Sequence, residues 1–334
     1  MTHLKDGTMT QSALSQLKKL TTIVVDSSDL TAIQNFRPLD ATTNPSLITA
    51  AATQKENLAL IENAYDQAKK EGYQSDELIE RTIDILTVKL GVEILKLIEG
   101  RVSTEVDANL SYDTDATVAK AKELLALYAS YGVSSERILI KIASTWEGIQ
   151  AAKVLQAEGI NCNLTLLFGL HQAKACADAN VKLISPFVGR ILDWYKKAEN
   201  VSEYPIEKDP GVLSVKEIYQ YYKSHAIKTE IMGASFRSTA QVLGLAGCDL
   251  LTISPAILTQ LEQETHAVTA QLTLPTQQNE TANAISEQDF KQQLEKDLMA
   301  FQLLQSGIDG FIKAREQLSE LLRQSLGNSA EIKK

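Results

Sequence analysis

The sequence has few of the residues that build metal centres, disulfide frameworks and nucleotide-binding loops. Three cysteines and four histidines occur among 334 residues, and no histidine stands at ligand spacing with another histidine or a cysteine. An odd number of widely separated cysteines argues against a disulfide framework and indicates a reducing compartment. The chain also lacks the Gly-x-Gly-x-x-Gly and Walker-type Gly-Lys-Ser/Thr motifs. We therefore expect neither a metal nor an organic cofactor.

The sequence also has fewer basic than acidic residues, and it lacks long apolar runs. The formal net charge is -9, so the overall field repels nucleic acid and anionic membranes, and a phosphorylated ligand requires local arginines. No apolar run approaches the length of a bilayer span, and residues 1–20 lack the apolar core of a signal peptide. These absences predict a soluble cytoplasmic protein without a nucleic-acid or membrane partner.

What the sequence does contain is an alternation of strand-like and helix-like segments. Short apolar or β-branched runs predict eight strands, at 21–26, 39–44, 102–107, 138–143, 162–168, 183–187, 230–236 and 250–255. The segments between them carry apolar residues at three- and four-residue spacing, as helices do. Alternation of this kind predicts an α/β fold with a parallel sheet, and eight strands is the number that closes a (β/α)8 TIM barrel.

Two long stretches lie outside the simple repeat. Residues 47–100 predict several helices, which form one oversized crossover before the third strand. After the eighth strand, residues 266–285 predict a polar loop, and residues 286–326 return to helical patterning. We expect residues 1–20 to form an N-terminal extension and helix. Because no linker separates the two long stretches from the barrel pattern, residues 21–334 are expected to form a single barrel domain. This domain includes the extra helices of the crossover and the C-terminus.

An open doubly wound sheet gives the same alternation, so the positions of the polar residues decide between the two folds. Because side chains in a strand alternate between its faces, residues two apart share one face. Mostly polar sets of this kind recur late in the predicted strands, at 42 and 44, 103, 105 and 107, 163 and 165, 185 and 187, and 235 and 237. Barrel enzymes keep their reactive groups at these strand ends, which favours the barrel.

Lys141 stands in the middle of the apolar predicted strand at 138–143. Burying an ammonium group is costly, so this lysine requires an explanation. From the residues alone, four explanations stay open: an edge strand, a side chain that extends to solvent, an ion pair, or a neutral amine that attacks a carbonyl. Two carboxylates also have structural alternatives, since Asp26 can cap the turn that follows it and Glu105 can form an ion pair with Lys141.

Six segments together resemble the transaldolase family of Schiff-base-forming class I aldolases. They are DATTNPSL at 40–47, STEVD at 103–107, ILIKIASTWEG at 138–148, NCNLTLLF at 161–168, SPFVGR at 185–190 and GASFR at 233–237. The resemblance extends from about Thr21 to Phe311, and motifs of this length rarely recur by chance. Gly169 and Leu170 depart from the Ser-Phe pair that many members of the family carry at this point.

The resemblance implies roles for four catalytic residues. Lys141 is expected to form the Schiff base, because desolvation in an apolar strand favours the neutral amine that acts as the nucleophile. Glu105 and Thr165 are expected to position and activate a water near the imine. Asp26 is expected to take the proton from the hydroxyl group whose carbon–carbon bond breaks.

The resemblance also implies how the substrate is held. The substrate-binding residues that it predicts are Asn44, Asn163, Ser185, Phe187, Arg190, Ser235 and Arg237. The amides and the first serine are expected to hydrogen-bond a dihydroxyacetone unit, and the two arginines to bind phosphate near helix starts. The alternatives are strand ends, helix caps and surface ion pairs. A phenylalanine at 187 cannot donate the proton that a tyrosine donates in related aldolases that release dihydroxyacetone, which favours transfer.

By this resemblance the chain is expected to be a transferase of the non-oxidative pentose phosphate pathway. The expected donors are sedoheptulose 7-phosphate and fructose 6-phosphate, and the expected acceptors are glyceraldehyde 3-phosphate and erythrose 4-phosphate. Two rival functions stay open. One is an aldolase of the same fold that releases dihydroxyacetone, and the other is a catalytically silent barrel that binds a sugar phosphate or a partner protein. Family members are often dimers, and a hydrophobic C-terminal helix offers an interface for a homodimer.

Overall fold

The computed structural model describes residues 11–276, 282 and 284–332, and its centre is a closed barrel of eight parallel strands. The strands are β1 (Thr22–Asp26), β2 (Asp40–Thr42), β3 (Val102–Glu105), β4 (Ile138–Ala143), β5 (Cys162–Leu167), β6 (Leu183–Pro186), β7 (Glu230–Gly233) and β8 (Leu250–Ile253). Each strand pairs with the next one along the chain, and β8 pairs with β1 to close the barrel. The predicted (β/α)8 fold is confirmed.

Helices follow the strands in alternation and surround the barrel. In the described part of the chain they are α1 (Ala13–Leu17), α2 (Leu30–Phe36), α3 (Pro45–Ala52), α4 (Leu58–Lys70), α5 (Ser75–Leu95), α6 (Thr114–Ser130), α7 (Trp146–Ala157), α8 (Leu170–Asp178), α9 (Val188–Glu199), α10 (Pro210–Ser224), α11 (Thr239–Leu243), α12 (Pro255–Gln263), α13 (Glu287–Lys296) and α14 (Leu298–Ile332). After α6 and α7 the chain turns at Gly132 (φ 76°) and Gly159 (φ 80°), in a conformation that only glycine adopts readily.

The barrel interior is apolar at its floor and polar at its mouth. The floor is a buried cluster of five inward-facing side chains, Val24, Leu139, Leu183, Met232 and Leu250. Two residues further along, four of the same strands carry the polar side chains Asp26, Lys141, Ser185 and Thr252. Because residues two apart in a strand share a face, these polar groups form a layer directly above the floor. The predicted concentration of polar groups at the C-terminal strand ends is therefore observed.

Short connections at the mouth are fixed by side chains that cap the following helices. Asn44 Oδ1 accepts a hydrogen bond from Leu47 N (3.0 Å) at the start of α3. Thr145 Oγ1 accepts one from Gly148 N (2.9 Å) at the start of α7. Such bonds satisfy N–H groups that have no partner within the helix, so each loop above the barrel leads directly into a helix in a defined direction.

The predicted crossover helices are present between β2 and β3. Helices α3, α4 and α5 fill this connection, and α4 and α5 pack closely against each other. Helix α5 also contacts β3 and α6, so the enlarged crossover covers one side of the barrel. Its fully buried apolar side chains include Ile85, Leu86 and Leu90.

The predicted C-terminal helices are also present, and α14 lies across the barrel mouth. It contacts α3, α9, β5 and the short 3-10 helix Ala108–Leu110 that follows β3. Its buried apolar side chains form a cluster with residues of the strand ends, including Leu166, Phe168, Phe187, Met299, Leu304, Ile308 and Phe311. The helix therefore covers the same end of the barrel where the polar side chains lie.

Six predicted strands extend past their observed ends: β5 and β6 by one residue, β2, β3 and β8 by two, and β7 by three. Strand β2 ends at Thr42, β3 at Glu105 and β7 at Gly233. The chain leaves the sheet there because the next residues start helices or bends, so Asn44, Asp107, Ser235 and Arg237 lie in connections. The strand bounds predicted for these residues are wrong, but Asn44, Ser235 and Arg237 still lie at the barrel mouth, as predicted.

The ends of the chain depart from the barrel repeat. Helix α1 buries Ala13, Leu14 and Leu17 and bonds to the end of α12 through Ala13 N and Glu264 O (2.7 Å). The described residues of the predicted loop at 266–285 form neither helix nor strand, and residues 277–281 and 283 of that loop, like residues 1–10, lie outside the described residues. No helix among the described residues combines the length and the apolar character that a membrane span requires.

Candidate active site

A cavity of about 210 Å³ opens at the C-terminal strand ends, next to α14. Eight of the eleven predicted site residues line it, namely Asp26, Asn44, Lys141, Ser185, Phe187, Arg190, Ser235 and Arg237. Of the other three, Glu105 contacts Lys141 and lines an adjoining cavity of about 30 Å³. Asn163 and Thr165 are fully buried on β5 and line neither cavity, although Asn163 is hydrogen-bonded to Ser185 of the cavity wall. The structure thus brings residues from seven strands and their connections to one place.

Lys141 is buried in the barrel interior, with only 5% of its surface exposed. Strand β4 pairs with β3 on one side and with β5 on the other, which excludes the edge-strand explanation. The low exposure excludes a side chain that extends to solvent. Instead Nζ lies 3.0 Å from Glu105 Oε2 and donates a hydrogen bond to Thr43 O (3.2 Å). The ion-pair explanation is correct for this structure, and it also places a base beside the amine.

Glu105 is the carboxylate partner of that lysine, and its side chain is almost completely buried. Burial raises the pKa of Glu105, while the positive charge of Lys141 acts in the opposite direction. The net direction is upward, because removing a carboxylate from water disfavours its charged form more than its neighbours stabilise it. A carboxyl group with a raised pKa can give and take protons closer to neutral pH.

Asp26 faces the cavity from β1 and does not cap the turn that follows it. The cap belongs to Asp29, whose Oδ1 accepts hydrogen bonds from Thr31 N (2.9 Å) and Ala32 N (3.1 Å). Asp26 Oδ1 instead accepts a hydrogen bond from Thr42 Oγ1 (2.8 Å) on the neighbouring strand. Burial raises the pKa of Asp26, against the lowering effects of Lys141 and of this hydrogen bond.

A chain of hydrogen bonds orients the amide of Asn163 below the mouth. Asn163 Nδ2 donates to Ser103 Oγ (3.0 Å), and Ser185 Oγ donates to Asn163 Oδ1 (2.6 Å). All three side chains are buried on adjacent parts of the barrel interior. The amide therefore has a defined orientation, and the second lone pair of its oxygen and its second N–H remain for another partner.

Thr165 is fully buried, and its Oγ1 makes no hydrogen bond to any residue in the described ranges. It lies within a distortion of β5, where the pairing with β6 shifts between Leu164 and Leu167. Leu166 in this bulge has φ 53°, which is unusual for a leucine. The bulge turns the Leu166 side chain into the apolar cluster beneath α14. A buried hydroxyl without a protein partner is a suitable site for a bound water or substrate hydroxyl.

Arg190, in the first turn of α9, carries a guanidinium group that forms neither a hydrogen bond nor an ion pair with the residues that the structure describes. The group lies over two aromatic rings, 4.9 Å from the ring centre of Phe187 and 5.7 Å from that of Phe311. Burial, together with the positive charge of Arg237, lowers the pKa of Arg190. The carboxylates of Glu105, Asp26 and Asp193 act in the opposite direction, but none forms a direct ion pair with it. A partly buried cation without a direct ion-pair partner favours binding of an anion.

Arg237 lies on the other side of the mouth and already has a partner. Its Nε and Nη2 atoms donate to Asp193 Oδ2 at 3.0 and 2.8 Å, in an ion pair that is about half exposed. The start of α9 contributes less to phosphate binding than predicted. Its first two amides, Val188 N and Gly189 N, already donate to Ala234 O (2.8 Å) and Ser235 O (2.7 Å). The guanidinium groups rather than these two amides are therefore available to an anion.

The sequence analysis missed two residues of α14 that complete the site. Phe311 lines the main cavity, and its ring centre lies 5.8 Å from Lys141 Nζ. One turn later, Arg315 forms ion pairs with Glu80 (2.7 Å), Asp84 (3.2 Å) and Asp107 (3.1 Å). The only sequence signal for them was the amphipathic pattern of the helix, which does not reveal the surface that the helix covers.

Gln172 is a further missed residue, and it organises the loop in which Gly169 and Leu170 depart from the family pattern. Its Oε1 accepts hydrogen bonds from Phe168 N (2.8 Å) and Gly169 N (3.1 Å). Its Nε2 donates to Ser144 O (3.0 Å) and to Leu166 O (3.1 Å). One buried amide thus joins the ends of β4 and β5, the strands that carry Lys141 and Thr165.

Comparison with known proteins agrees with this geometry. The family model described as transaldolase/fructose-6-phosphate aldolase matches residues 23–322. The chain belongs to this family. A transaldolase of Thermosynechococcus vestitus is 53% identical over 318 residues, which cover 94% of this chain and 81% of the relative. Transaldolases of a Nostoc species and of Cellvibrio japonicus are each 51% identical and cover 95% and 93% of this chain and 97% and 98% of the relatives.

These similarities support transaldolase activity and place the chain among the transferases. They extend over the complete barrel and over most of α14, so they include every strand that contributes to the cavity. In the described residues, histidine, cysteine and acidic side chains do not come together in any group of three or more that would hold a metal ion.

Proposed function

We propose that this protein transfers a dihydroxyacetone unit through a Schiff base on Lys141. The donor is sedoheptulose 7-phosphate or fructose 6-phosphate, and the acceptor is glyceraldehyde 3-phosphate or erythrose 4-phosphate, as in the non-oxidative pentose phosphate pathway of the cytoplasm. The observation that carries the proposal is a buried lysine 3.0 Å from a buried carboxylate, at the mouth of a barrel of the transaldolase family. The roles given to the individual residues below are part of the proposal.

The first step is attack of the Lys141 amine on the carbonyl carbon of the donor. The ammonium group must first lose a proton, and the carboxylate of Glu105 is in contact with it. Because burial raises the pKa of Glu105, this carboxylate accepts the proton more readily than an exposed one would. The carbonyl oxygen takes a second proton from the attacking nitrogen and becomes a hydroxyl group. Glu105 then returns a proton to that hydroxyl, which leaves as water, and the imine forms.

Glu105 and Thr165 are suited to hold that water after it is released in imine formation and until it is used in imine hydrolysis. Thr165 Oγ1 has no partner in the described part of the chain, and Glu105 lines a cavity of about 30 Å³ beside Lys141. A cavity of this size is large enough for a water molecule, and the carboxylate offers it an acceptor. The same water can add to the imine carbon at the end of the cycle and release the product ketose.

Asp26 is placed to break the carbon–carbon bond. Its carboxylate takes the proton from the hydroxyl on the carbon next to the three-carbon unit, and the electrons of the broken bond move to the protonated imine. An aldose phosphate leaves, and an enamine of dihydroxyacetone stays on Lys141. Burial raises the pKa of Asp26, which makes it a stronger base for this hydroxyl proton. In the second half-reaction the enamine carbon attacks the acceptor aldehyde, and Asp26 returns the proton to the new hydroxyl.

Substrate binding uses the other polar groups of the cavity. Asn44, Asn163 and Ser185 are suited to hydrogen-bond the hydroxyls of the dihydroxyacetone unit, since each presents an amide or hydroxyl at or near the cavity wall. The phosphate is assigned to Arg190 and Arg237, and Ser235, which also lines the cavity, accepts a long hydrogen bond from Arg237 Nη1 (3.4 Å). Phe187 offers no acidic proton near the imine, which favours transfer over release of dihydroxyacetone.

A product assay tests the proposal against its two rivals. The enzyme is mixed with sedoheptulose 7-phosphate, with and without glyceraldehyde 3-phosphate, and the sugar products are separated and quantified. A transferase forms erythrose 4-phosphate and fructose 6-phosphate only when the acceptor is present. An aldolase forms free dihydroxyacetone in both mixtures, and a silent barrel converts neither substrate. Either of the last two results would reject the proposal.

We also propose that the protein forms a homodimer in solution. Much of the apolar surface of α14 is buried on the barrel, but Leu298 and Phe301 on its first turns are 55% and 46% exposed. These exposed side chains offer the apolar contact that a twofold interface requires. Light scattering measures the mass directly, and a mass near that of a single chain, 36.7 kDa, would reject the dimer.

A further inference from the structure

We propose that Phe311 determines whether the covalent three-carbon unit is transferred or lost. It does so by covering the enamine on Lys141 from the side of α14 and keeping solvent away from its reactive carbon. This inference rests on the Schiff-base function proposed above and goes further, since it assigns reaction specificity to a residue of the C-terminal helix.

The ring of Phe311 forms part of the cavity wall near Lys141. Phe311 is 4% exposed, lies 5.8 Å from Lys141 Nζ, and lines both the 210 Å³ cavity and the adjoining 30 Å³ cavity. It is therefore the wall that the two cavities share on the α14 side. A ring at this place removes space for water beside the amine and presents only carbon and hydrogen to a group bound there.

Helix α14 approaches the barrel closely one turn before Phe311. One turn before Phe311, α14 carries Gly307, and a Cβ atom at this position would lie 2.6 Å from Leu166 Cδ2 and 3.3 Å from an Arg190 guanidinium nitrogen. Residues four apart share a helix face, so the glycine and the ring face the mouth together. The glycine lets the helix backbone rest on Leu166, the strained residue of the β5 bulge.

Ion pairs anchor the next turn of the same face of α14. Arg315 forms ion pairs with Glu80 and Asp84 of α5 and with Asp107. Asp107 also caps the short 3-10 helix that directly follows β3, the strand that carries Glu105. Arg315 thereby ties the helix of Phe311 to the strand of the catalytic carboxylate. We regard Arg315 as a positioning residue that acts through Phe311.

Solvent access matters at the enamine stage, because transfer and release of the three-carbon unit diverge there. In transfer, the enamine carbon forms a bond to the acceptor aldehyde carbon, and the aldehyde oxygen takes a proton. In release, the enamine carbon takes a proton from solvent water instead. A second water then adds to the resulting imine, the carbon–nitrogen bond breaks, and free dihydroxyacetone leaves the regenerated amine. Both routes end in imine hydrolysis, so they differ in whether water protonates the enamine carbon before an acceptor arrives.

The experiment compares Phe311→Ala with Leu58→Ala, which truncates a large apolar side chain on α4 that is 51% exposed and does not line the main cavity. Each enzyme receives fructose 6-phosphate and glyceraldehyde 3-phosphate. The measured quantity is free dihydroxyacetone formed per sedoheptulose 7-phosphate formed. We expect this ratio to rise by about tenfold or more in Phe311→Ala, because water reaches the enamine, and to stay at the wild-type value in Leu58→Ala.

Further variants keep the outcome unambiguous. Phe311→Leu retains an apolar side chain with shorter reach and is expected to give an intermediate ratio. Arg315→Gln is expected to raise the ratio in the same direction, and Arg315→Lys to restore part of it. Wild-type ratios in Phe311→Ala and Phe311→Leu would overturn the inference while leaving the proposed function intact. Failure of the wild-type enzyme to be labelled on Lys141 by borohydride with donor would instead overturn the proposed function.

Discussion

Lys141 and Glu105 are directly opposite each other on adjacent parallel strands, and Nζ lies 3.0 Å from Oε2 inside the barrel. Their contact follows from the register of β3 and β4, in which Glu105 and Lys141 occupy neighbouring positions. The charged pair loses the solvation that water would provide. In the proposed mechanism, this contact lets the carboxylate take the proton that an amine nucleophile must lose.

The first prediction concerns Glu105→Gln. The amide fills nearly the same space but cannot take or return a proton, so we expect kcat to fall by roughly 10²-fold or more. Glu158→Gln, which removes an exposed carboxylate that pairs with Lys122, is the matched control and should leave kcat unchanged. Steady-state assays on both variants, with circular dichroism to verify folding, test the prediction. An unchanged kcat in folded Glu105→Gln would reject its role in proton transfer.

The second prediction links Asp26 to stability as well as to rate. Burial raises its pKa above the ordinary value of 3.8, so the folded protein holds a proton that the unfolded chain releases earlier as the pH rises. Below pH 3.8 both states are protonated, and the carboxylate costs no stability. As the pH rises from there through the folded pKa, the charged buried form lowers the free energy of unfolding. We therefore expect Asp26→Asn to have a higher Tm than the wild type at pH 7.

That stability gain should shrink as the measurement moves from pH 7 towards pH 4, while kcat stays low at every pH. Differential scanning calorimetry at several pH values gives the comparison. Asp29→Asn provides a control, since Asp29 is a helix cap outside the cavity. A wild-type Tm that equals or exceeds that of Asp26→Asn at pH 7 would contradict the pKa argument without bearing on catalysis. Such a trade of stability for activity is common at active sites.

The fold could be predicted from the sequence because its signals are local. Each strand is a short apolar run, and each helix has its own periodicity, so the eight-fold alternation is visible without tertiary information. The strand ends were predicted less well, since the chain leaves β2, β3 and β7 where caps and bends begin. Those boundaries depend on hydrogen bonds such as that between Asn44 Oδ1 and Leu47 N.

The candidate site was predictable where its residues sit inside motifs, as Lys141 and Glu105 do. It was not predictable where distant segments meet. Phe311 reaches Lys141 only because α14 crosses the mouth, and the path of that helix is set by Arg315 with its three carboxylate partners and by the small size of Gly307. Helical periodicity shows that a face is apolar, but it does not show which surface the face covers.

The third prediction separates the two arginines. Arg190 has no ion-pair partner in the described ranges, whereas Arg237 already pairs with Asp193. Removing Arg190 therefore costs a full charge-assisted contact with phosphate, about 1.5 to 3 kcal/mol, or roughly ten- to hundredfold in KM for phosphorylated donors. Arg237→Ala should have a smaller effect in the same direction, since its guanidinium is half exposed and must exchange partners.

Unphosphorylated fructose provides the comparison for both variants, because its KM should change little. Arg101→Ala is not a suitable control, since Arg101 pairs with buried Asp40 at the opposite end of the barrel. Arg323→Ala is better, because Arg323 forms an exposed pair with Asp76. Equal losses on fructose and on fructose 6-phosphate would show that the arginines support the cavity rather than bind phosphate.

The fourth prediction is that borohydride traps the donor on Lys141. In the presence of fructose 6-phosphate, reduction of the imine should inactivate the enzyme irreversibly and add a reduced three-carbon or six-carbon unit to the peptide that contains Lys141. Chelators should have no effect on this labelling. Peptide mass spectrometry identifies the labelled residue, and omission of either the donor or the borohydride should leave the peptide unmodified.

Lys141→Arg is the sharpest variant for this test, because a guanidinium group keeps the positive charge beside Glu105 but stays protonated and cannot attack a carbonyl. It should abolish both labelling and turnover. Lys182→Arg, which preserves an exposed pair with Glu230 at the other end of the barrel, should label as the wild type does. A label on any other lysine, or full activity in folded Lys141→Arg, would mean that the buried amine is only the partner of Glu105. The chemistry of this barrel would then have to begin from another group in the cavity, and Asp26, the second buried carboxylate, would be the first to examine.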